Sequence, residues 1–123
     1  MVENLQPKET VRAWVDAFNA VDVTRIANLY AEDATFHDMT QSIVSGRDAI
    51  RKMYANEFAT FQIFCIVDEI KGDGHWVTLD WKDPNGVQGC GYFEVKNGEI
   101  THQRAYWDKA SFLMFHTTPS LTN

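Results

Sequence analysis

With only two cysteines, the chain has no disulfide framework to staple it. Cys65, in the run Phe64-Cys65-Ile66-Val67, reads as a buried small hydrophobe, and Cys90 lies between two glycines in a later strand. A reducing compartment is therefore the default. No apolar run is long enough to span a bilayer. The N-terminal residues Met1-Val2-Glu3-Asn4-Leu5-Gln6 show no basic region followed by an apolar stretch, so the expected location is cytoplasmic. Positive charge is scarce: 11 Lys and Arg face 17 Asp and Glu, for a net charge of −6. Such a chain repels phosphate backbones and anionic membranes, and with no basic stripe neither nucleic acid nor membrane is an expected partner. His37, His75, His102 and His116 fall in no metal-binding spacing, and no H-x-x-H, H-E-x-x-H or C-x-x-C pattern occurs, so no metal is expected. His75 lies on an apolar strand face, whereas alternation puts His37 and His102 on the exposed side. No phosphate-cradling glycine loop is present, because Gly89-Cys90-Gly91 sits inside a strand rather than before a helix; no cofactor is expected. Repeats, low-complexity tracts and linkers are also missing, and no Ser/His/Asp or Cys/His arrangement can be identified.

What the chain does have is apolar surface and aromatic rings. Its 123 residues fit one domain, residues 1–123, able to bury a core without staples. Aromatics make up 13% of the residues and run along the whole chain, which points to a large core, an aromatic-lined cavity, or both.

A helical first half precedes a stranded second half, the α+β order. Val11, Trp14, Val15 and Phe18 form one apolar stripe and predict a helix over 7–20, with Pro7 at its first position. Asp22 is a plausible N-cap for a second helix with Val23, Ile26, Leu29 and Tyr30 on its inner face. Residues 35–38 read as a short strand with Phe36 and Asp38 on one face. Ser45-Gly46-Arg47-Asp48 matches a capping box and opens a third helix with Ile50, Met53 and Tyr54 inward.

After Phe58 the period changes to that of strands. Runs at 60–70, 75–82, 87–96 and 99–108 are separated by turns at Lys71-Gly72-Asp73-Gly74, Asp83-Pro84-Asn85-Gly86 and Asn97-Gly98. Four long antiparallel strands twist into a strongly curved sheet. The expected architecture is a cone-shaped curved antiparallel sheet wrapped around three N-terminal helices, with a cavity at the open end. Ser111-Phe112-Leu113-Met114-Phe115 is too apolar for a free tail; it should pack on its own domain, cap the mouth or enter a dimer interface. Trp76 and Tyr106 fall on the sheet's outer face by alternation, unusual for a solvated surface, so a homodimer is expected.

The segments Val11-Arg12-Ala13-Trp14-Val15-Asp16-Ala17-Phe18-Asn19-Ala20, Leu29-Tyr30-Ala31-Glu32-Asp33-Ala34-Thr35, His37-Asp38, Ser45-Gly46-Arg47-Asp48-Ala49-Ile50 and Tyr54-Ala55-Asn56 resemble the ketosteroid isomerase and SnoaL-like polyketide cyclase branch of the nuclear transport factor 2-like superfamily. The closing stretch Tyr92-Phe93-Glu94-Val95-Lys96-Asn97-Gly98-Glu99-Ile100, with Arg104-Ala105-Tyr106-Trp107-Asp108, is similar to that family's last strands. The resemblance spans roughly residues 8–115 and agrees with the layout read from the residues. It implies that Asp38 occupies the general-base position and that Tyr30 and Tyr54 fall where some relatives support the oxyanion hole. It also implies two departures: Trp14 stands where the principal oxyanion-hole tyrosine belongs, and Gly91 where a protonated acid belongs.

Asp38 is thus the candidate catalytic residue, against the alternative of a solvated strand-end acid. Trp14, Phe18, Tyr30, Tyr54, Phe93, Gln103 and Trp107 are the candidate pocket lining, against plain core roles. Asp80 and Asp108 are secondary acids: Asp80 belongs to the outer or dimer side if Val77, Leu79 and Trp81 face inward, and Asp108 is a candidate cap for the C-terminal turn. Three functions compete: a cofactor-independent isomerase, cyclase or dehydratase acting on a hydrophobic small molecule; a ligand-binding module without chemistry; and a dimeric domain that recruits another protein.

Overall fold

A computed structural model describes residues 6–38, 42–61 and 63–107. The chain runs α1 (Pro7–Asn19), α2 (Val23–Ala27), β1 (Tyr30–Asp38), β2 (Ile43–Ser45), α3 (Arg47–Thr60), β3 (Ile66–Asp73), β4 (Trp76–Lys82), β5 (Gln88–Lys96) and β6 (Glu99–Trp107). The six strands form one curved, unclosed sheet in the order β2-β1-β6-β5-β4-β3. Two helices lie against it, α1 on β3, β4 and β5, and α3 on β1 and β2, while α2 packs on α1 and α3. The expected α+β layout is therefore present, with one correction. β1 runs parallel to β6, so the sheet is mixed rather than wholly antiparallel. No helix among the described residues is long and apolar enough to cross a membrane.

The α1 stripe behaves as its spacing predicts: Val11, Trp14, Val15 and Phe18 are all buried. Burying each such side chain contributes about 1.5–3 kcal/mol. Glu9 reaches back to accept the Gln6 N–H at 2.8 Å, which occupies a donor the helix start leaves unpaired. Asp22 caps α2 by accepting from the Arg25 N–H at 3.0 Å.

Local pattern was overruled in three places. α2 stops at Ala27, and Tyr30 opens β1 instead of lying on a helix. The Leu29 carbonyl accepts the Ile100 N–H at 2.8 Å, and Tyr30 pairs with Ile100, so the distant β6 draws the chain out of helix. At the start of α3 the N-cap is Gly46, with no side-chain cap, while Ser45 pairs with Thr35 as the last residue of β2. Gly46 takes φ +93°, where side chains are disfavoured, and its N–H donates to the Ala34 carbonyl at 2.8 Å. α3 itself runs on to Thr60 and β3 begins only at Ile66, so the β-rich run from 60 divides between helix, a non-strand stretch and strand.

The last two hairpins match their sequence signals. Asn97 and Gly98 adopt φ +54° and +78° in the turn between β5 and β6. The expected turn at 71–74 shrinks, because β3 continues through Asp73 and leaves Gly74 and His75 to reverse the chain. His75 is exposed and its Nδ1 lies 3.1 Å from the Val95 carbonyl, whereas His37 and His102 are half-buried. The apolar segment 109–123 lies outside the described residues.

Candidate active site

Why the sheet is hollow follows from its cross-strand rows. On the concave face Phe36 pairs with Gln103, Gln103 with Phe93, and Phe93 with Val77. One pleat further on, Asp38 pairs with Ala105, Ala105 with Gly91, and Gly91 with Leu79. In the third row Gly89 sits between Trp107 and Trp81. The middle of the second and third rows therefore carries almost no side-chain volume, while large rings rise at the margins. A Cβ on Gly89 would stand 2.2 Å from Trp81 Cζ2, so the ring occupies the space this glycine leaves. Helices α1 and α3 roof the hollow with Trp14, Phe18 and Tyr54. The result is a cavity of about 190 Å³, walled mostly by aromatic and aliphatic groups.

Asp38 lies in this cavity at the end of β1, and the Trp107 indole N–H donates to both carboxylate oxygens at 3.1 Å. Behind the wall, the polar atoms of three aromatics and one amide are tied together. Trp14 Nε1–H is directed at Tyr30 Oη at 3.0 Å and Tyr54 Oη at 3.2 Å, and the two hydroxyls lie 2.7 Å apart. Tyr30 O–H donates to Gln103 Oε1, which leaves Tyr54 O–H as the donor to Tyr30. Burial pushes the Tyr54 and Tyr30 hydroxyls far above the usual phenol range. The hydroxyl and indole protons of this network are thus consumed internally.

The expected lining residues Trp14, Phe18, Tyr54, Phe93, Gln103 and Trp107 all border the cavity together with Asp38. Tyr30 does not: it is fully buried one layer back, where it supports Tyr54 and Gln103. Asp80 is absent from the cavity wall. It pairs with Cys90 on the convex face, because strand alternation sends it away from Val77 and Leu79. Asp108 lies outside the described residues. Gly91, at the place the resemblance assigns to a second acid, does form part of the wall, but as bare backbone.

Sequence reasoning missed Glu57. It follows Ile50 and Tyr54 on the inner face of α3, at i+7 and i+3, and the helical period could have found it. Burial, and secondarily the charge of Asp38, push its carboxyl up to about 7. Glu57 also borders an outer groove of about 400 Å³ whose walls include Val21, Phe58 and Phe64, so it lines both spaces. Cys65 belongs to the wall as well. Its backbone is gripped in both directions by the Asn19 side chain, at 2.8 and 3.0 Å, and burial pushes its thiol up to about 12. Among the described residues no cluster of three or more His, Cys, Asp or Glu could hold a metal.

The chain matches the SnoaL-like domain family over residues 11–103, and it belongs to that family. No curated protein matches it significantly. Among solved structures, it is similar to a ketosteroid isomerase-like protein from Catenulispora acidiphila crystallised with trimethylamine, at 22% identity and a TM-score of 0.80, over 90% of this chain and 94% of that one. It is similar to SalBIII, an epoxide hydrolase/cyclase-like enzyme of pyran ring formation in salinomycin, at 21% identity and a TM-score of 0.75, over 85% and 92% of the two chains. A third neighbour is an LEH-like epoxide hydrolase of M. tuberculosis, at 23% identity and a TM-score of 0.75, over 85% and 84%. These likenesses establish the nuclear transport factor 2-like fold, which hosts unrelated chemistries.

Proposed function

We propose that this chain is a cofactor-independent enzyme that moves a proton on a hydrophobic small molecule, with Asp38 as general base. The observation that carries the reading is a carboxylate set inside an aromatic cavity and held by an indole donor. A base in such a site needs no metal or cofactor to remove a proton next to a carbonyl; it needs position and exclusion of water. The C–H bond breaks, the proton goes to an Asp38 oxygen, and the electron pair moves into the carbonyl to form an enolate. Return of the proton at a new carbon gives isomerisation; attack by the enolate carbon on a second carbonyl of the same molecule, whose oxygen takes the proton from Asp38, gives cyclisation; departure of a β-hydroxyl as water, protonated by Asp38, gives dehydration. A neighbour of the same fold is a cyclase-like enzyme of pyran ring formation, which supports an enzymatic reading of the cavity.

Deuterium exchange tests it. In heavy water the parent protein should speed incorporation of deuterium into the carbon acid beta-tetralone, read by mass spectrometry, and Asp38→Asn should bring the rate to that of buffer. Equal rates for parent and variant would overturn the assignment of Asp38.

One observation favours a second reading, a binding module that returns its ligand unchanged. The N–H of Trp14 and the O–H of Tyr30 and Tyr54 are all spent within the protein, so none points at a developing oxyanion. We further propose that two copies pair through the convex sheet face, where Trp76, Tyr92 and Tyr106 are 40%, 39% and 38% exposed. Sedimentation should show a dimer that dissociates in a Trp76→Arg, Tyr106→Arg double variant; a parent chain that sediments only as 14.1 kDa overturns that proposal.

A further inference from the structure

The cavity wall carries two carboxyl groups beside the Gln103 amide and the Tyr54 ring. Asp38 and Glu57 contribute the carboxyl groups, whereas the Tyr54 hydroxyl is engaged by Trp14 and Tyr30. Around them stand the faces and edges of Trp14, Phe18, Trp81, Phe93 and other rings. Among the described residues of the wall, none is lysine, arginine or histidine. The chain as a whole carries a charge of −6. Aromatic faces attract cations through their quadrupole, and the attraction grows when water is excluded. A carboxyl group forced into such a wall gains most from a positive partner, whereas an anion would meet two acids and, among the described residues, no cationic side chain.

We propose that the cavity is built for an organic cation, a hydrophobic molecule bearing an alkylammonium group, with Glu57 as its counter-ion. This rests on the reading that the cavity is the functional site, and it divides the labour within it: Asp38, held by Trp107, transfers the proton, and Glu57, which also borders the outer groove, selects the ligand. The electrostatics of the free protein fit this division. Burial and the neighbouring Asp38 charge keep Glu57 protonated up to about pH 7, so the free protein does not hold two bare carboxylates in one cavity. An arriving ammonium favours the ionised form and releases that proton to solvent. The titratable groups that face Glu57 are Asp38 on β1, Tyr54 on its own helix, Tyr30 behind Tyr54, and Cys65 ahead of β3. None of these is cationic, so the direction is fixed: affinity for a cation rises with pH.

The probes are benzyltrimethylammonium and its uncharged carbon isostere neopentylbenzene, with phenylmethanesulfonate as the anion, each titrated by calorimetry into the full chain. At about pH 8 the cation should bind at least about tenfold tighter than the isostere, and the anion should not bind. For the cation, Kd should fall about tenfold between about pH 6 and about pH 8, as the ionised fraction of Glu57 rises. At the lower pH, buffers of different ionisation heat should report about one proton released per cation bound. In Glu57→Gln the ratio of cation to isostere affinity should fall severalfold, to what the rings and Asp38 contribute, and the proton release and the pH dependence should vanish. A cation that binds no tighter than the isostere, that fails to bind, or that binds with no pH dependence overturns the proposal. The deuterium-exchange result stands or falls separately, since beta-tetralone is uncharged.

Discussion

Glu57→Gln should stabilise the protein, and the gain should depend on pH. The folded chain raises this carboxyl from 4.5 to about 7, chiefly because burial penalises its charge. Between those values the folded state keeps a proton that the unfolded state has lost. Stability contributed by the protonated group is therefore full below the unfolded value, declines as pH rises, and is gone above about 7. A tenfold change in proton affinity is worth about 1.4 kcal/mol, so the whole window corresponds to about 3 kcal/mol. Glu57 is half-buried and borders the outer groove, so solvent screens part of this, and the expected gain at about pH 8 is about 2 kcal/mol. Glutamine has the same shape and no charge to bury, so it recovers this amount. Urea unfolding should place the variant's midpoint above the parent's at about pH 8, and the two should converge at about pH 4, where both side chains are neutral. In thermal terms the higher-pH gain is roughly 8 °C for a chain of this size. Equal stability at both pH values would refute the buried-charge account. A gain of the same size at both would show that packing, not protonation, is responsible.

Three further substitutions probe the scaffold of the cavity. Trp107→Phe removes the indole donor to both Asp38 oxygens, and the beta-tetralone exchange rate should fall by roughly ten- to a hundredfold while circular dichroism stays unchanged; an unaltered rate would mean that the indole does not position the base. Gly89→Ala places a methyl where Trp81 Cζ2 would be 2.2 Å away, so the ring must swing into the hollow. Probe binding should be lost and stability lowered by about 1–3 kcal/mol, measured by calorimetry and urea unfolding, and retained affinity would show that the ring has another place to go. Tyr30→Phe leaves Gln103 Oε1 without its donor and Tyr54 without its acceptor, and should destabilise by about 1–3 kcal/mol in denaturant titration; a neutral result would mean that water replaces the hydroxyl.

Strand alternation sufficed for much of the site. It set Val77 and Leu79 on one face and Asp80 on the other, leaving open which face is inward, and it put Phe36 and Asp38 together; the structure keeps both groupings and turns Val77 and Leu79 inward. The helical stripe did the same for Trp14 and Phe18. The failures share a cause. Tyr30 carries a good helical pattern, but its backbone is claimed by Ile100, and no local window contains that competitor. The parallel pairing of β1 with β6 is likewise a property of the finished sheet. Glu57 failed for a different reason: its spacing from Ile50 was visible, but a charged residue at an inner helical position reads as the solvated end of a stripe unless a hollow is already known to lie beneath it.

The parallel seam between β1 and β6 also governs when the site can exist. It joins Phe36 to Gln103 and Asp38 to Ala105, pairs far apart in the chain, whereas β3 to β6 are successive hairpins with short turns. Closing a long loop before any contact rewards it is slow, so the meander should form early and the seam late. Until it closes, Asp38 has no Trp107 and Tyr30 has no Gln103. A partly folded chain would thus expose an aromatic sheet face with no assembled base. Ligand added during refolding should leave the rate of collapse unchanged and act only on the final step, where the last strand meets the first.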